Sequence, residues 1–137
     1  MDEITIEAKI ESLPEVLSFI NEKIKDVPHS SRTQMHVEMI SEEIYVNICQ
    51  YAYGDDGGTA TIGTELKEGD PATLIIRFCD TGTRFDPLKK EDPDITLPAG
   101  SRPIGGLGIF LVKKMIDDID YKYEDSRNIL TVTKVLK

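Results

Sequence analysis

The sequence predicts an α+β fold, a two-layer α/β sandwich in which helices cover one face of a mixed, mostly antiparallel sheet. Two observations support this architecture. Short segments that alternate apolar and polar residues, as half-buried strands do, follow one another without an intervening helix. Longer segments carry apolar residues at every third or fourth position, as amphipathic helices do. The length of 137 residues fits one domain, 1–137.

The amino-terminal half is predicted to form a strand and two helices. Residues 4–10 alternate in polarity and predict the strand. Ser12 stands before Leu13-Pro14, a helix start with proline in the first turn, and Pro28 ends the apolar spacing of this first helix. A second helix, capped by Ser30 or Ser31, is predicted to run to about residue 53.

The rest of the chain contains four predicted strands, one helix and one long loop. The glycines and aspartates of 54–58 indicate a turn after the second helix. The loop over 80–104 contains four prolines and no sustained periodicity, and loops of this length in compact domains are commonly functional. The predicted elements are strands over 59–66 and 72–79, a helix over 107–115, and strands over 120–124 and 128–136.

Composition excludes several functional classes. The hydrophobic share of 39% and the charged share of 30% are those of a soluble globular protein. No apolar run approaches the roughly 20 residues that cross a bilayer, and the acidic start of the chain lacks a signal pattern, so we expect a cytoplasmic protein without membrane contact. The net charge of -9 argues against non-specific nucleic-acid binding.

Glu43 and Asn47 form the first candidate site. They stand one helical turn apart, so both side chains project from the same face of the second helix. The carboxylate could activate a nucleophile, and the amide oxygen could hold a divalent cation that keeps its other ligands as water and phosphate. An exposed helical pair without a function is the alternative.

Asp80 and Gly82 form the second candidate site, at the end of a predicted strand. A buried carboxylate there could accept a hydrogen bond from an adenine amino group. Glycine would allow the backbone to approach the base. A simple turn is the alternative, because aspartate and glycine are both common in turns.

Gly105, Gly106 and Gly108 form the third candidate site, where they open an apolar helical segment. A glycine-rich loop at a helix N-terminus presents amide groups and a positive dipole end to phosphate. The pattern matches neither a P-loop nor a dinucleotide fingerprint. A flexible hinge is the alternative reading.

In this order, the three motifs resemble those of the ATPase domains shared by gyrase, Hsp90, histidine kinases and MutL. That superfamily carries Glu-x-x-x-Asn, Asp-x-Gly and a Gly-x-Gly loop, and the resemblance covers essentially the whole chain. Its Bergerat-type ATP-binding fold is the sandwich predicted above. The small size and the extension from Asp80 to Pro87 look most like the bacterial anti-sigma-factor serine kinases.

The resemblance implies a role for each motif residue. Glu43 would be the general base, and Asn47 would ligate Mg²⁺. Asp80 would bind the adenine amino group, and Gly82 would shape its pocket. The glycines of the third motif, Gly105, Gly106 and Gly108, would cradle the phosphates. Residues 83–104 would form a lid over ATP, from which Arg84 or Arg102 could reach phosphate.

The same resemblance implies an ATP-dependent serine/threonine protein kinase. Its protein partner would be a sigma factor, an anti-anti-sigma domain or both, and the chain could form a homodimer. The alternative is a nucleotide-gated binding module of the same fold without catalysis. The presence of both Glu43 and Asn47 favours the enzyme, because a pure binding module has no need of Glu43.

Overall fold

A computed structural model describes residues 1–89 and 107–137 of the chain. Its helices are α1 (Leu13–Ile24), α2 (Ser31–Tyr51) and α3 (Leu107–Met115), and its strands are β1 (Asp2–Glu7), β2 (Thr59–Lys67), β3 (Ala72–Asp80), β4 (Asp118–Glu124) and β5 (Arg127–Leu136). Short 3-10 helices span Ile10–Ser12 and Pro87–Lys89.

The five strands form one sheet in the order β1-β2-β3-β5-β4. All four pairings among the described strands are antiparallel. Residues opposite one another share a face, so the register assembles each side of the sheet row by row. One such row joins Ala60, Asp80 and Asn128, and a row two pleats away joins Thr64, Ile76 and Val132.

The core lies between one face of this sheet and the helices. Every second residue of β2, β3 and β5 points towards the helices, and all of these are buried except the half-buried Leu66 and Lys134. The helices contribute apolar residues at helical spacing to the same cluster. The central members are Val16, Ile20, Ile24, Val37, Ile40, Ile44, Ile62, Leu74, Ile76, Phe78, Val112 and Val132. The predicted α+β sandwich with helices on one face is therefore confirmed.

Two predicted boundaries are wrong by several residues. Strand β1 ends at Glu7 and not at residue 10, because the hydroxyl of buried Tyr45 engages the backbone there. It accepts from the Lys9 N–H at 3.2 Å and lies 3.0 Å from the Glu7 carbonyl oxygen. Helix α1 ends at Ile24, after which the Val27 N–H closes a tighter turn on the Ile24 carbonyl.

Both ends of the helical layer are fixed by polar contacts. Of the two predicted caps of α2, the structure selects Ser30, whose Oγ accepts from the Thr33 N–H at 3.1 Å. At the end of α3, the Lys134 ammonium donates to the Met115 carbonyl and lies 3.2 Å from His36 Nδ1. Lys134 therefore ties α3 to both β5 and α2.

Candidate active site

A cavity of about 50 Å³ lies between the C-terminal half of α2 and the ends of β3 and β5. Its wall is mostly apolar, with polar groups concentrated at a few positions. Asn47 and Asp80, from two separate sequence motifs, both line it. The residues that enclose the cavity are Ile44, Asn47, Ile48, Tyr51, Ala52, Phe78, Asp80, Thr83, Phe85, Pro87, Ile109, Tyr121, Asn128 and Leu130. A concave apolar site with a few convergent polar groups is typical of small-molecule recognition.

Asp80 is the last residue of β3 and is only 7% exposed. Its Oδ1 accepts from the backbone N–H of Gly82 and from Asn128 Nδ2, both at 2.9 Å. The bond to Gly82 folds the chain back after the strand, as aspartate does in many turns. Asp80 is therefore held by its own turn and by the neighbouring strand.

Gly82 packs directly on the end of α2. A Cβ at this position would overlap the carbonyl of Ala52, the C-cap residue of the helix. The next residue completes the contact, because the Thr83 N–H donates to the same Ala52 carbonyl at 2.7 Å. Only glycine permits this close approach between the Asp80–Gly82 turn and α2.

Glu43 lies beside the start of α3. A Cβ added to Gly108 would overlap the Glu43 carboxylate, so the glycine leaves room for that side chain. Glu43 and Asn47 are both half-buried on α2. The structure thus brings together Glu43, Asn47 and Gly108. Gly105 and Gly106 lie outside the described residues, as do Arg102 and most of the predicted lid, 83–104.

Asn128 is a central residue of the site that the sequence analysis missed. It lies opposite Asp80 on β5 and is 6% exposed. Its Nδ2 donates to Asp80 Oδ1 and to the Thr83 carbonyl, and its Oδ1 accepts from the Tyr121 hydroxyl and the Phe85 N–H. The signal was present, because asparagine is disfavoured in strands and here falls on the face that carries the core residues Leu130, Val132 and Leu136.

Tyr53 is a second residue without a role assigned from the sequence, and it supports the Asp80–Gly82 turn. Its hydroxyl accepts from the Thr81 N–H at 2.9 Å and donates to the Thr59 carbonyl at 2.5 Å. A Cβ at Gly58 would overlap the Tyr53 ring, so that glycine lets the ring lie flat against the loop. Tyr53 therefore links the end of α2 to the residue after Asp80.

Two aromatic contacts involve the residues that follow the Asp80–Gly82 turn. The rings of Tyr51 and Phe85 stack with their centroids 6.1 Å apart. The Arg84 guanidinium lies 5.0 Å from the centroid of Tyr123, on the edge strand β4. Burial raises the pKa of the Tyr121 hydroxyl, which donates to Asn128. The predicted contact of Arg84 with phosphate stays a prediction.

Within the cavity, Asn47 offers an amide oxygen that could serve as a cation ligand. Residues 1–89 and 107–137 contain no group of three or more histidine, cysteine, aspartate or glutamate side chains that could hold a metal ion. Mg²⁺ needs no such cage, because it binds through one or two protein oxygens, waters and substrate phosphates. The amide oxygen of Asn47 is a suitable single ligand.

A family model described as the histidine kinase-like ATPase domain matches residues 6–134. The chain belongs to that family. It is also 34% identical over 99 residues to the serine-protein kinase RsbW of Bacillus cereus (strain ATCC 10987 / NRS 248), and 33% identical to RsbW of Bacillus thuringiensis (strain Al Hakam). Each match covers 69% of this chain and 59% of the relative. The predicted resemblance to the anti-sigma-factor serine kinases within the ATPase superfamily is confirmed.

Solved structures share the fold of this chain. One is the structure of the RsbU and RsbW domains of a Mycobacterium tuberculosis protein. The match covers 99% of this chain and 33% of that structure's chain, with a TM-score of 0.61 at 13% identity. The catalytic domain of the histidine kinase ThkA matches 99% of the chain and 98% of its own, with a TM-score of 0.53 at 14% identity. In the part of the chain that the structure describes, no helix is long and apolar enough to cross a membrane.

Proposed function

We propose that this chain binds ATP with Mg²⁺ and transfers the terminal phosphoryl group to a serine or threonine of a protein partner. One observation carries the proposal. Glu43 lies against Gly108 at the start of α3, while Asn47, one turn further along α2, lines the cavity that contains Asp80. Glu43 and Asn47, one turn apart on α2, thus connect the start of α3 with the cavity that contains Asp80.

Asp80 is proposed to bind the adenine base. It is buried, lines the apolar cavity and accepts two hydrogen bonds at Oδ1. Oδ2 is then the oxygen to receive the exocyclic amino group of adenine. Gly82 packs on Ala52, which lines the same cavity, and would shape the adenine pocket from there.

The triphosphate is proposed to lie between Asn47 and the N-terminus of α3. Asn47 would hold Mg²⁺, which neutralises charge on the phosphate oxygens. Gly105, Gly106 and Gly108 would offer backbone amides at the helix start, where the helix dipole favours an anion. Glycine at position 108 also leaves space beside Glu43 that any larger side chain would fill.

Glu43 is proposed as the general base. As the partner hydroxyl oxygen bonds to the terminal phosphorus, its proton moves to the Glu43 carboxylate and ADP leaves with the electrons of the broken P–O bond. Most of the rate enhancement in such transfers comes from positioning and charge neutralisation. The relatives' name, serine-protein kinase, supports a serine acceptor.

The partner is proposed to be a sigma factor, an anti-anti-sigma domain or both. We place this interaction in the cytoplasm and propose that the chain can also form a homodimer. These assignments rest on similarity to proteins of which the match covers 59%. The net charge of -9 suits a partner with a basic docking face. We also propose that 1–137 is one domain and that 83–104 covers the bound nucleotide.

Glu43→Gln separates nucleotide binding from transfer. We expect ATP with Mg²⁺ to stabilise both wild type and the variant by about 2.7 kcal/mol at 100 times the dissociation constant. With γ-labelled ATP and an extract of the source organism, wild type should label a protein on serine or threonine. The variant should label it about 10² to 10⁴ times more slowly.

Two controls bracket this result. Glu42→Gln makes the same change at an exposed neighbour and should transfer phosphate at the wild-type rate. Asp80→Ala should lose the stabilisation by ATP. Equal transfer by Glu43→Gln would refute the base role, whereas ATP binding without labelling by wild type would indicate the non-catalytic binding module.

A further inference from the structure

The amide of Asn128 has only one possible orientation. Its Oδ1 lies 3.1 Å from the Phe85 N–H, a group that can only donate. Its Nδ2 lies 3.0 Å from the Thr83 carbonyl, a group that can only accept. A flipped amide would oppose donor to donor and acceptor to acceptor. Backbone groups therefore fix which end of Asn128 faces β3.

This orientation determines how Asp80 is used. Asn128 presents its NH₂ group to Asp80 Oδ1, and Gly82 presents a backbone N–H to the same oxygen, each at 2.9 Å. Both partners are donors, so Oδ1 is an acceptor in both bonds. Because Asn128 is 6% exposed and Asp80 7% exposed, water competes poorly for these contacts.

We propose that Asn128 is a specificity-determining positioning residue, which holds Asp80 as an acceptor and so selects a purine with an amino group at C6 over one with a carbonyl. The inference rests on the nucleotide-binding function proposed above. An amino group finds the acceptor that it needs, whereas a carbonyl meets a carboxylate oxygen and leaves both acceptors unpaired. Sites built around a buried hydrogen-bonding group reject the mismatched analogue strongly.

An amide at position 80 provides the sharpest test of this orientation. In Asp80→Asn, the two donors from Gly82 and Asn128 require the amide oxygen to occupy the place of Oδ1. The new NH₂ group must then face the ligand. It would donate to a C6 carbonyl and oppose a C6 amino group, so the preference between the two purines should invert.

The measurement is the dissociation constant of ATP and of inosine triphosphate, which differs from ATP in carrying oxygen at C6, by calorimetry with Mg²⁺. Wild type should bind ATP at least about tenfold more tightly, equivalent to 1.4 kcal/mol. Asp80→Asn should bind inosine triphosphate more tightly than ATP. Asn128→Asp should weaken ATP binding about tenfold and bring the two constants within about threefold, because the facing carboxylates repel or share a proton.

The double variant Asp80→Asn with Asn128→Asp completes the cycle. Gly82 still requires an acceptor at the inner position, while the carboxylate at position 128 requires a donor there. The orientation of the introduced amide is no longer fixed, and the inverted preference of Asp80→Asn should disappear. A double-mutant cycle of this kind isolates the interaction free energy between the two substitutions.

Asn21→Asp is the matched control, with the same change of group and charge on α1, outside the cavity. It should keep the wild-type ratio of the two constants. If Asn128→Asp fails to fold in a thermal melt, Asn128→Leu replaces it, because leucine has a similar size and donates no hydrogen bond to Asp80 Oδ1. The ratio of the two dissociation constants should also fall to within about threefold.

Three results would overturn the inference. One is a wild type that binds both nucleotides equally, which would leave the proposed nucleotide binding intact. Another is a preference for ATP that persists in Asp80→Asn, or a wild-type ratio of the two dissociation constants in every folded Asn128 variant. A wild type that binds neither nucleotide would refute the proposed function, and this inference with it.

Discussion

Buried polar side chains at two places on the inner sheet face differ in whether they have hydrogen-bond partners. In the row of Asp80 and Asn128, each side chain has protein partners, and Asn128 makes four hydrogen bonds. Two pleats away, Thr64 is 0% exposed beside Ile76, and its hydroxyl has no partner within the described residues. The first region builds a site, and the second is a packed core that tolerates one unsatisfied group.

This difference shows where the chain uses buried polarity. An unpaired buried hydroxyl destabilises a fold by roughly 1–3 kcal/mol, whereas a fully satisfied network orders its members. Around Asp80, the network joins the ends of β3 and β5 to Thr83 and Phe85. Around Thr64, the neighbouring positions on the same sheet face carry core residues, among them Ile62 and Ile76. Changes in the two regions should therefore separate effects on binding from effects on stability.

Gly82→Ala should have the largest effect. The new methyl group overlaps the Ala52 carbonyl, a backbone atom that cannot move without displacing the end of α2. We expect the free energy of unfolding to fall by about 3 kcal/mol in chemical denaturation. ATP affinity should fall at least tenfold, because the Asp80–Gly82 turn moves. Gly54→Ala is the control, since a Cβ there meets open space; a wild-type midpoint for Gly82→Ala would contradict the close contact.

Tyr53→Phe should have an intermediate effect. It removes the hydroxyl that engages the Thr81 N–H and the Thr59 carbonyl, which water can partly replace. We expect a loss of roughly 1 kcal/mol in unfolding free energy and weaker ATP binding. Tyr123→Phe retains the ring near Arg84 and should change stability by less than about 0.5 kcal/mol. Equal effects of the two variants would show that Tyr53 does not support the turn.

Thr64→Val should have the smallest effect and the opposite sign. It replaces an unpartnered buried hydroxyl with a methyl group, and we expect a gain of at most about 1 kcal/mol in unfolding free energy. ATP affinity should not change. Thr61→Val is the control, because the Thr61 hydroxyl is paired with that of Thr5 at 2.9 Å on the outer sheet face. A destabilised Thr64→Val protein would mean that ordered water satisfies this hydroxyl.

The periodicity of apolar residues predicted the fold well because it follows which face of each helix and strand is buried. The alternation along β2 and β5 and the helical spacing along α2 each name the face that enters the core. The ends of the strands and helices were predicted less well, since they depend on contacts with residues distant in sequence. The end of β1 is set by Tyr45, which is 38 residues from Glu7 in sequence.

The candidate site was predicted only in part for a similar reason. Glu43 with Asn47 and Asp80 with Gly82 are local patterns, and the structure places all four residues at or beside the cavity. Asn128 is 48 residues from Asp80 and meets it only through the pairing of β3 with β5. No local spacing reveals such a contact.

Helix α2 fixes a distance as well as a face. It carries Glu43, and its C-cap, Ala52, receives the turn that follows Asp80. At about 1.5 Å per residue, these two positions are separated by roughly 13 Å along the axis. One inserted residue between them would lengthen this span and rotate Glu43 by about 100° relative to the cavity that contains Asp80. Changes in chain length should therefore be tolerated in the turn over 54–58 and not in the helix between Glu43 and Ala52.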